Sequence, residues 1–128
     1  MRLKIKKKIP LIDQHDKNFM YGGKFGGNYI PETLKKPVND LTKLFTKLRK
    51  NKRFLKERDK YFETYVGSPT PFIKLDNLTE YLGGAQIYAK VVSEANGGAH
   101  KIYNATVHCL IAKKAGKKYI VGDTGAGY

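Results

Sequence analysis

The sequence QIYAKVVSEANGGAHKIYNATVHCLIAKKAGKKYIVG, residues 86–122, determines the fold prediction more than any other segment. Residues 86–92 are rich in β-branched and aromatic side chains and predict a strand. A loop of small residues leads into 99–115, a segment with helical spacing that ends at Gly116. Residues 118–122 predict a second strand. Strand, helix and strand in this order predict a βαβ unit with parallel strands.

The chain before this unit predicts a helical hairpin. Pro31 and Glu32 open the first helix, because proline suits the first turn and an acidic side chain suits the positive helix end. A second helix is predicted over 52–66, with Gly67 ending it. Its inward-facing residues are predicted to be Phe54, Leu55, Tyr61, Phe62 and Tyr65. Together the segments predict an α/β fold, a helical hairpin followed by an incomplete parallel βαβ sheet.

The chain of 128 residues fits one ordinary domain. Residues 1–19 are basic and show no sustained apolar period, so we expect a disordered arm before a domain at 20–128. No apolar run is long enough to cross a membrane, and no apolar segment follows the basic start as in a secretory signal. One cysteine, Cys109, cannot form an internal disulfide. These features predict a cytoplasmic protein.

The formal net charge of +14 raises the question of a nucleic-acid partner. The excess is mostly lysine, with arginine only at positions 2, 49, 53 and 58. Arginine is the more frequent reader of bases and phosphates because its guanidinium binds through two parallel hydrogen bonds. The composition therefore favours a solvated surface that is merely rich in lysine, with nucleic-acid binding as the alternative. His108 and Cys109 are adjacent and face different sides of a helix, so no metal site is predicted.

Lys101 lies where the Gly97-Gly98 turn runs into the predicted helix. The positive helix end favours a neutral amine, which can attack an aldehyde to form a Schiff base. Free N–H groups there can bind a phosphate. In so lysine-rich a chain, one lysine at a helix start also arises by chance. His100 could face the same phosphate or simply cap the helix on the surface.

A small-residue loop follows the last predicted strand: Asp123, Thr124, Gly125, Ala126 and Gly127. It lies at the carboxyl end of that strand, where α/β sheets usually bind ligands. Its N–H groups and the threonine hydroxyl can hold a carboxylate or phosphate, and the aspartate can exchange a proton. An ordinary strand-to-helix turn explains the same residues equally well.

Five motifs, in one order along the chain, resemble the tryptophan synthase beta chain family. They are FGGNYIPETL at 25–34, VGSPTP at 66–71, LGGAQIY at 82–88, GAHKI at 98–102 and DTGAG at 123–127. This resemblance implies a fold-type II enzyme that uses pyridoxal 5'-phosphate (PLP). It further implies that Lys101 holds PLP, that His100 lies beside the cofactor phosphate, and that Asp123 replaces the catalytic glutamate. Residues 124–127 become the loop that binds the substrate carboxylate.

The family condenses L-serine with indole to L-tryptophan, and its beta chain pairs with an alpha chain and a second beta chain. Its members are longer and carry much of the cofactor site beyond this segment. We therefore expect an N-terminal fragment of a tryptophan synthase beta chain that is inactive alone. The alternatives are one half of a split PLP enzyme completed by a separate chain, or a basic nucleic-acid-binding remnant.

Overall fold

A computed structural model of the protein describes residues 9–125. It divides the chain into two compact units, Met1–Val38 and Asn39–Tyr128. The described residues form a mixed α/β structure of four helices and two antiparallel strand pairs. The helices are α1 (Glu32–Leu48), α2 (Lys52–Tyr61), α3 (Asp76–Leu82) and α4 (Lys101–Lys114), and the strands are β1 (Met20–Tyr21), β2 (Phe25–Gly26), β3 (Phe72–Lys74) and β4 (Tyr88–Lys90).

The first unit contains a short hairpin in which β1 pairs with β2. The turn between them uses Gly22 and Gly23, both in the left-handed region with φ of 57° and 70°. This conformation suits glycine because it has no Cβ. Before the hairpin, the Asp16 carboxylate accepts the backbone N–H groups of Asn18 and Met20 at 2.8 and 2.9 Å. The carboxylate thus fixes the path of the chain into β1.

The two helices predicted before the strands are present as α1 and α2, and the packing partner of α2 is α4. Asn51 caps α2, because its side-chain oxygen accepts the backbone N–H of Phe54 at 3.0 Å. A single π-helical turn, Phe62–Val66, continues α2 to Gly67, which ends it with φ of 79°. The left-handed conformation at that glycine is the usual way for a helix to stop.

The hydrophobic core of the second unit lies where α2 packs on α4. Four buried residues form it: Leu48, Phe54, Leu110 and Ile111. Of the residues predicted to face inward from the second helix, Phe54 is buried, whereas Tyr61 and Tyr65 are 39% and 54% exposed. These two tyrosines line a cleft with residues of α4 but are incompletely covered, because helical spacing identifies an apolar face without showing how far the neighbouring helix covers it.

The predicted parallel βαβ sheet is absent from the described residues. The strands β3 and β4 pair antiparallel, with Ile73 opposite Ala89. The chain reverses through α3 and the Gly83 cap, so β4 returns beside β3 as a hairpin with a helix in its connection. Residues 118–122 form no strand, and Val121 is 94% exposed. Strand propensity alone does not make a strand, because its backbone groups need a neighbouring edge to pair with.

An ion pair also joins α2 to α4, with the Lys114 ammonium 2.7 Å from the Glu57 carboxylate. The hydrogen bond from Lys114 lowers the pKa of Glu57, against a smaller opposing effect of burial. The pair therefore stabilises the fold above the ordinary carboxyl pKa, and this contribution disappears as the pH falls through the lowered pKa.

We expect Glu57→Gln to lower the thermal midpoint slightly at pH 7 and to leave it unchanged at strongly acidic pH. Thermal unfolding followed by circular dichroism across this pH range measures the difference. Glu63→Gln is the matched control, since Glu63 is exposed and has no ion pair within residues 9–125. An equal effect of both substitutions at every pH would contradict a role for the pair.

Candidate active site

The predicted cofactor lysine lies at the first turn of α4. His100 is the residue that precedes the helix, and Lys101 is its first residue. Both side chains are exposed. The chain reaches them through Gly97 and Gly98, whose φ values of 86° and 71° place both in the left-handed region. The structure therefore confirms the glycine turn and the helix start that the sequence predicts around Lys101.

The loop before α4 is held by the segment that follows α2. The backbone N–H of Asn96 donates to the carbonyl oxygen of Val66 at 2.9 Å, and Val66 is fully buried. Ala95, next to Asn96, is also buried. These contacts hold the loop a few residues before Lys101 on a packed support. The sequence shows no signal for this contact, because it joins residues far apart in the chain.

A second set of contacts joins the end of β4 to Thr70 and Pro71, a few residues after Val66. The Lys90 ammonium donates to the carbonyl oxygen of Thr70, and the backbone N–H of Val91 donates to that of Pro71 at 2.9 Å. Thr70 is 4% exposed, and its hydroxyl oxygen has no hydrogen-bond partner within the described part of the chain. No local signal in the sequence indicates that Thr70 and Lys90 contact each other.

The start of α4 presents backbone N–H groups without acceptors in the described residues, beside an open turn. The backbone N–H groups of Ala99 and His100 have no acceptor within residues 9–125. A Cβ added at Gly97 or Gly98 would meet no atom within 4 Å, so the space beside this turn is open. Unpaired N–H groups at a helix start attract negative charge, and the open turn lets a phosphate approach the backbone. The arrangement thus offers an amine and an anion site at one helix end.

The second predicted site segment follows the other end of α4. Asp123, Thr124 and Gly125 lie in the irregular stretch after Gly116, and all three are exposed. The remaining loop residues predicted from the sequence, Ala126 and Gly127, lie outside the described residues. His100 and Lys101 thus lie at the start of α4, whereas Asp123 follows its other end in the chain.

A cleft between α2 and α4 was not anticipated from the sequence. It encloses about 310 Å³, and its walls are mostly apolar. The residues that line it include Tyr61, Tyr65, Ile102 and Cys109. The apolar positions of both helices were recognisable from their spacing. The gap between them depends on how the two helices pack, which spacing does not show.

Two further observations concern membranes and metals. In the part of the chain that the structure covers, no helix combines the length and the apolar character needed to cross a bilayer. Nor do any three His, Cys, Asp or Glu side chains there come together as a possible metal site.

No family model matches the chain. Individual relatives do match it. The tryptophan synthase beta chain of Leptospira biflexa serovar Patoc is 46% identical over 107 residues, which are 84% of this chain and 27% of the relative. The tryptophan synthase beta chain of Fusobacterium nucleatum subsp. nucleatum is 42% identical over the same shares. The chain thus spans about a quarter of the length of these curated relatives. The similarity predicted from the five motifs is confirmed: over most of its residues, this chain is a relative of the tryptophan synthase beta chain.

Proposed function

We propose that this chain is the segment of a tryptophan synthase beta chain that carries the PLP lysine. The observation that carries this proposal is the placement of Lys101. It begins α4 three residues after Gly98, within the motif GAHKI, and the backbone N–H groups of the two residues before it have no acceptor in residues 9–125. An aldehyde with a phosphate group matches these two features together, since one needs an amine and the other needs N–H donors.

The residues present match the chemistry of PLP. The Lys101 amine would hold the aldehyde carbon, while His100 and the N–H groups of Ala99 and His100 would hold the phosphate. The open space beside Gly97 and Gly98 would admit that phosphate. When bound, PLP supplies an electron sink for chemistry at the amino-acid α-carbon. The contacts of Asn96 with Val66 keep the loop that carries these groups in place.

The segment after α4 would act on the amino-acid substrate. Thr124, Gly125, Ala126 and Gly127 would bind the substrate carboxylate through N–H groups and one hydroxyl. Asp123 would hold and release the proton as indole adds. In the relatives' reaction, as the resemblance implies it, L-serine and indole are the substrates. An alpha chain and a second beta chain are the proposed partners, in a fold-type II arrangement in the cytoplasm.

Co-production with the unmatched part of the Leptospira biflexa beta chain tests the proposal. We expect the purified 128-residue chain alone to form no tryptophan from serine, indole and PLP. The chain co-produced with that remainder is expected to form tryptophan, measured by its fluorescence after separation from indole. Tryptophan formation by the chain alone would contradict its expected dependence on the remainder. An inactive pair that nevertheless co-purifies would contradict the proposal itself.

The length of the Asp123 side chain predicts how a substitution there changes kcat of the two co-produced chains. Asp123 is one methylene shorter than the glutamate that the family carries, which withdraws its carboxylate from the reacting atoms. A misplacement on the order of 1 Å can slow a reaction about a hundredfold. We therefore expect Asp123→Glu to raise kcat of the co-produced pair, by up to about a hundredfold.

Steady-state kinetics with serine and indole measures this gain, and Asp123→Asn supplies the opposite control. The asparagine keeps the length of the side chain but cannot take up a proton in the same way, so its rate should fall. A lower kcat for Asp123→Glu than for the unchanged chain would contradict the argument from side-chain length, and an unchanged kcat for Asp123→Asn would remove Asp123 from the proton-transfer role.

A further inference from the structure

The outer face of α2 carries a continuous line of positive charge. Lys52, Lys56 and Lys60 follow one another at four-residue intervals, and Arg53 lies beside the first of them. With 3.6 residues per turn, these four side chains occupy one sector of about 100°. All four residues are exposed. We call Lys52, Arg53, Lys56 and Lys60 the basic stripe.

The charges of the basic stripe are not neutralised within residues 9–125, where none of its members has an ion-pair partner. The two acidic side chains of α2 are engaged elsewhere. Asp59 pairs with Arg58 at 2.6 Å, and Glu57 pairs with Lys114 at 2.7 Å. Like charges four residues apart repel one another and disfavour the helix. A bound polyanion would remove that repulsion.

We propose that the basic stripe binds the phosphate backbone of nucleic acid without reading its sequence. This goes beyond the enzymatic proposal and does not depend on it. The composition had favoured a merely solvated surface, but composition does not show that the charges share one helix face. The stripe contains lysine and arginine alone, with no aromatic side chain to stack on a base, so it suits phosphates rather than bases.

The geometry of α2 disfavours a lipid surface as the partner. A helix that lies on a bilayer needs an apolar face free to enter it. The apolar face of α2 is occupied, since Phe54 is buried in the core and Leu55 packs against it. This face of α2 can therefore attract an anionic surface, but it has no free apolar side to insert into a bilayer. Lys47 and Lys50, exposed just before α2, add to the positive potential at its start.

Fluorescence anisotropy with a short labelled DNA duplex of mixed sequence tests this proposal on the full chain. Four phosphate contacts predict a slope of about −4 in log K against log salt, and a loss on the order of a hundredfold between 50 and 200 mM salt. The triple variant Lys52→Gln, Lys56→Gln, Lys60→Gln should bind more weakly, with a slope about three smaller in magnitude. Glutamine keeps a similar helix propensity, and circular dichroism checks that α2 remains folded.

The matched control is Lys24→Gln, Lys117→Gln, Lys118→Gln, which removes the same charge from exposed sites outside α2. Its salt slope should stay within about one unit of the unchanged chain. Equal weakening by both triple variants would show that net charge alone drives binding and would overturn the stripe. The proposal also fails if the duplex does not bind in low salt. It fails equally if polyglutamate or phosphatidylserine vesicles displace the duplex as well as unlabelled DNA does at equal charge.

Discussion

Replacing Lys101 with alanine will abolish tryptophan formation by the co-produced pair. Lys101 is the first residue of α4 and its amine is the proposed attachment point for PLP. Alanine removes that amine while retaining a strong helix former at the helix start, so α4 should persist. The rate of tryptophan formation should fall below detection, and absorbance of protein-bound PLP should fall with it.

Lys117→Ala is the control for this substitution, because Lys117 follows α4 and the change removes the same charge. It should leave the rate unchanged. Adding ethylamine should restore part of the activity of Lys101→Ala, since a small amine can replace the missing one. A Lys101→Ala pair that retains its rate would show that another lysine holds the cofactor.

Phe54→Ala will strongly destabilise the second unit. Phe54 is 5% exposed and packs with Leu48, Leu110 and Ile111 between α2 and α4. Removing a buried phenylalanine ring typically costs about 3–5 kcal/mol, from lost burial and the cavity left behind. Folded domains are stable by only about 5–15 kcal/mol in total. The substitution therefore removes a large part of the stability.

Urea unfolding followed by circular dichroism measures this loss as a shift in the midpoint at a similar slope. Tyr119→Ala is the matched control, because Tyr119 is aromatic but 86% exposed. Its free energy of unfolding should change by no more than about 0.5 kcal/mol. Equal midpoints for Phe54→Ala and Tyr119→Ala would place the stabilising core elsewhere.

The helices could be predicted because their signals are local. Gly67 and Gly116 end the helices before them, and Pro31 precedes the start of α1. Each of these residues acts on the backbone of its own turn. The motif around Lys101 was predictable for the same reason, since the glycine turn and the helix start are adjacent in the chain.

The strand pairing could not be predicted in the same way. Residues 118–122 have the side chains typical of a strand, but they pair with no other strand among the described residues. β3 and β4 pair with each other because α3 turns the chain back. The choice of partner depends on contacts between distant segments, whereas propensity reports only on each segment alone.

The contacts that anchor the loop before the candidate site could not be predicted from the sequence for the same reason. The contact of Asn96 with Val66 and that of Lys90 with Thr70 both join residues that are far apart in the chain. The motifs predicted which residues could carry the chemistry. The structure adds the contact of Asn96 with Val66, which anchors the loop before Lys101. Lys101 begins α4 after a loop anchored at Ala95 and Asn96, and Asp123 follows α4 in the irregular stretch of the chain.

Locating the lysine to which PLP becomes attached tests the assignment of Lys101 without a measurement of enzyme activity. The co-produced pair is loaded with increasing PLP and reduced with borohydride, and the modified lysines are located by peptide mass spectrometry. We predict that Lys101 becomes modified at the lowest PLP concentration and reaches full modification before any other lysine of this chain. Modification of Lys101 no earlier than that of Lys117 or Lys118 would contradict its assignment as the cofactor lysine.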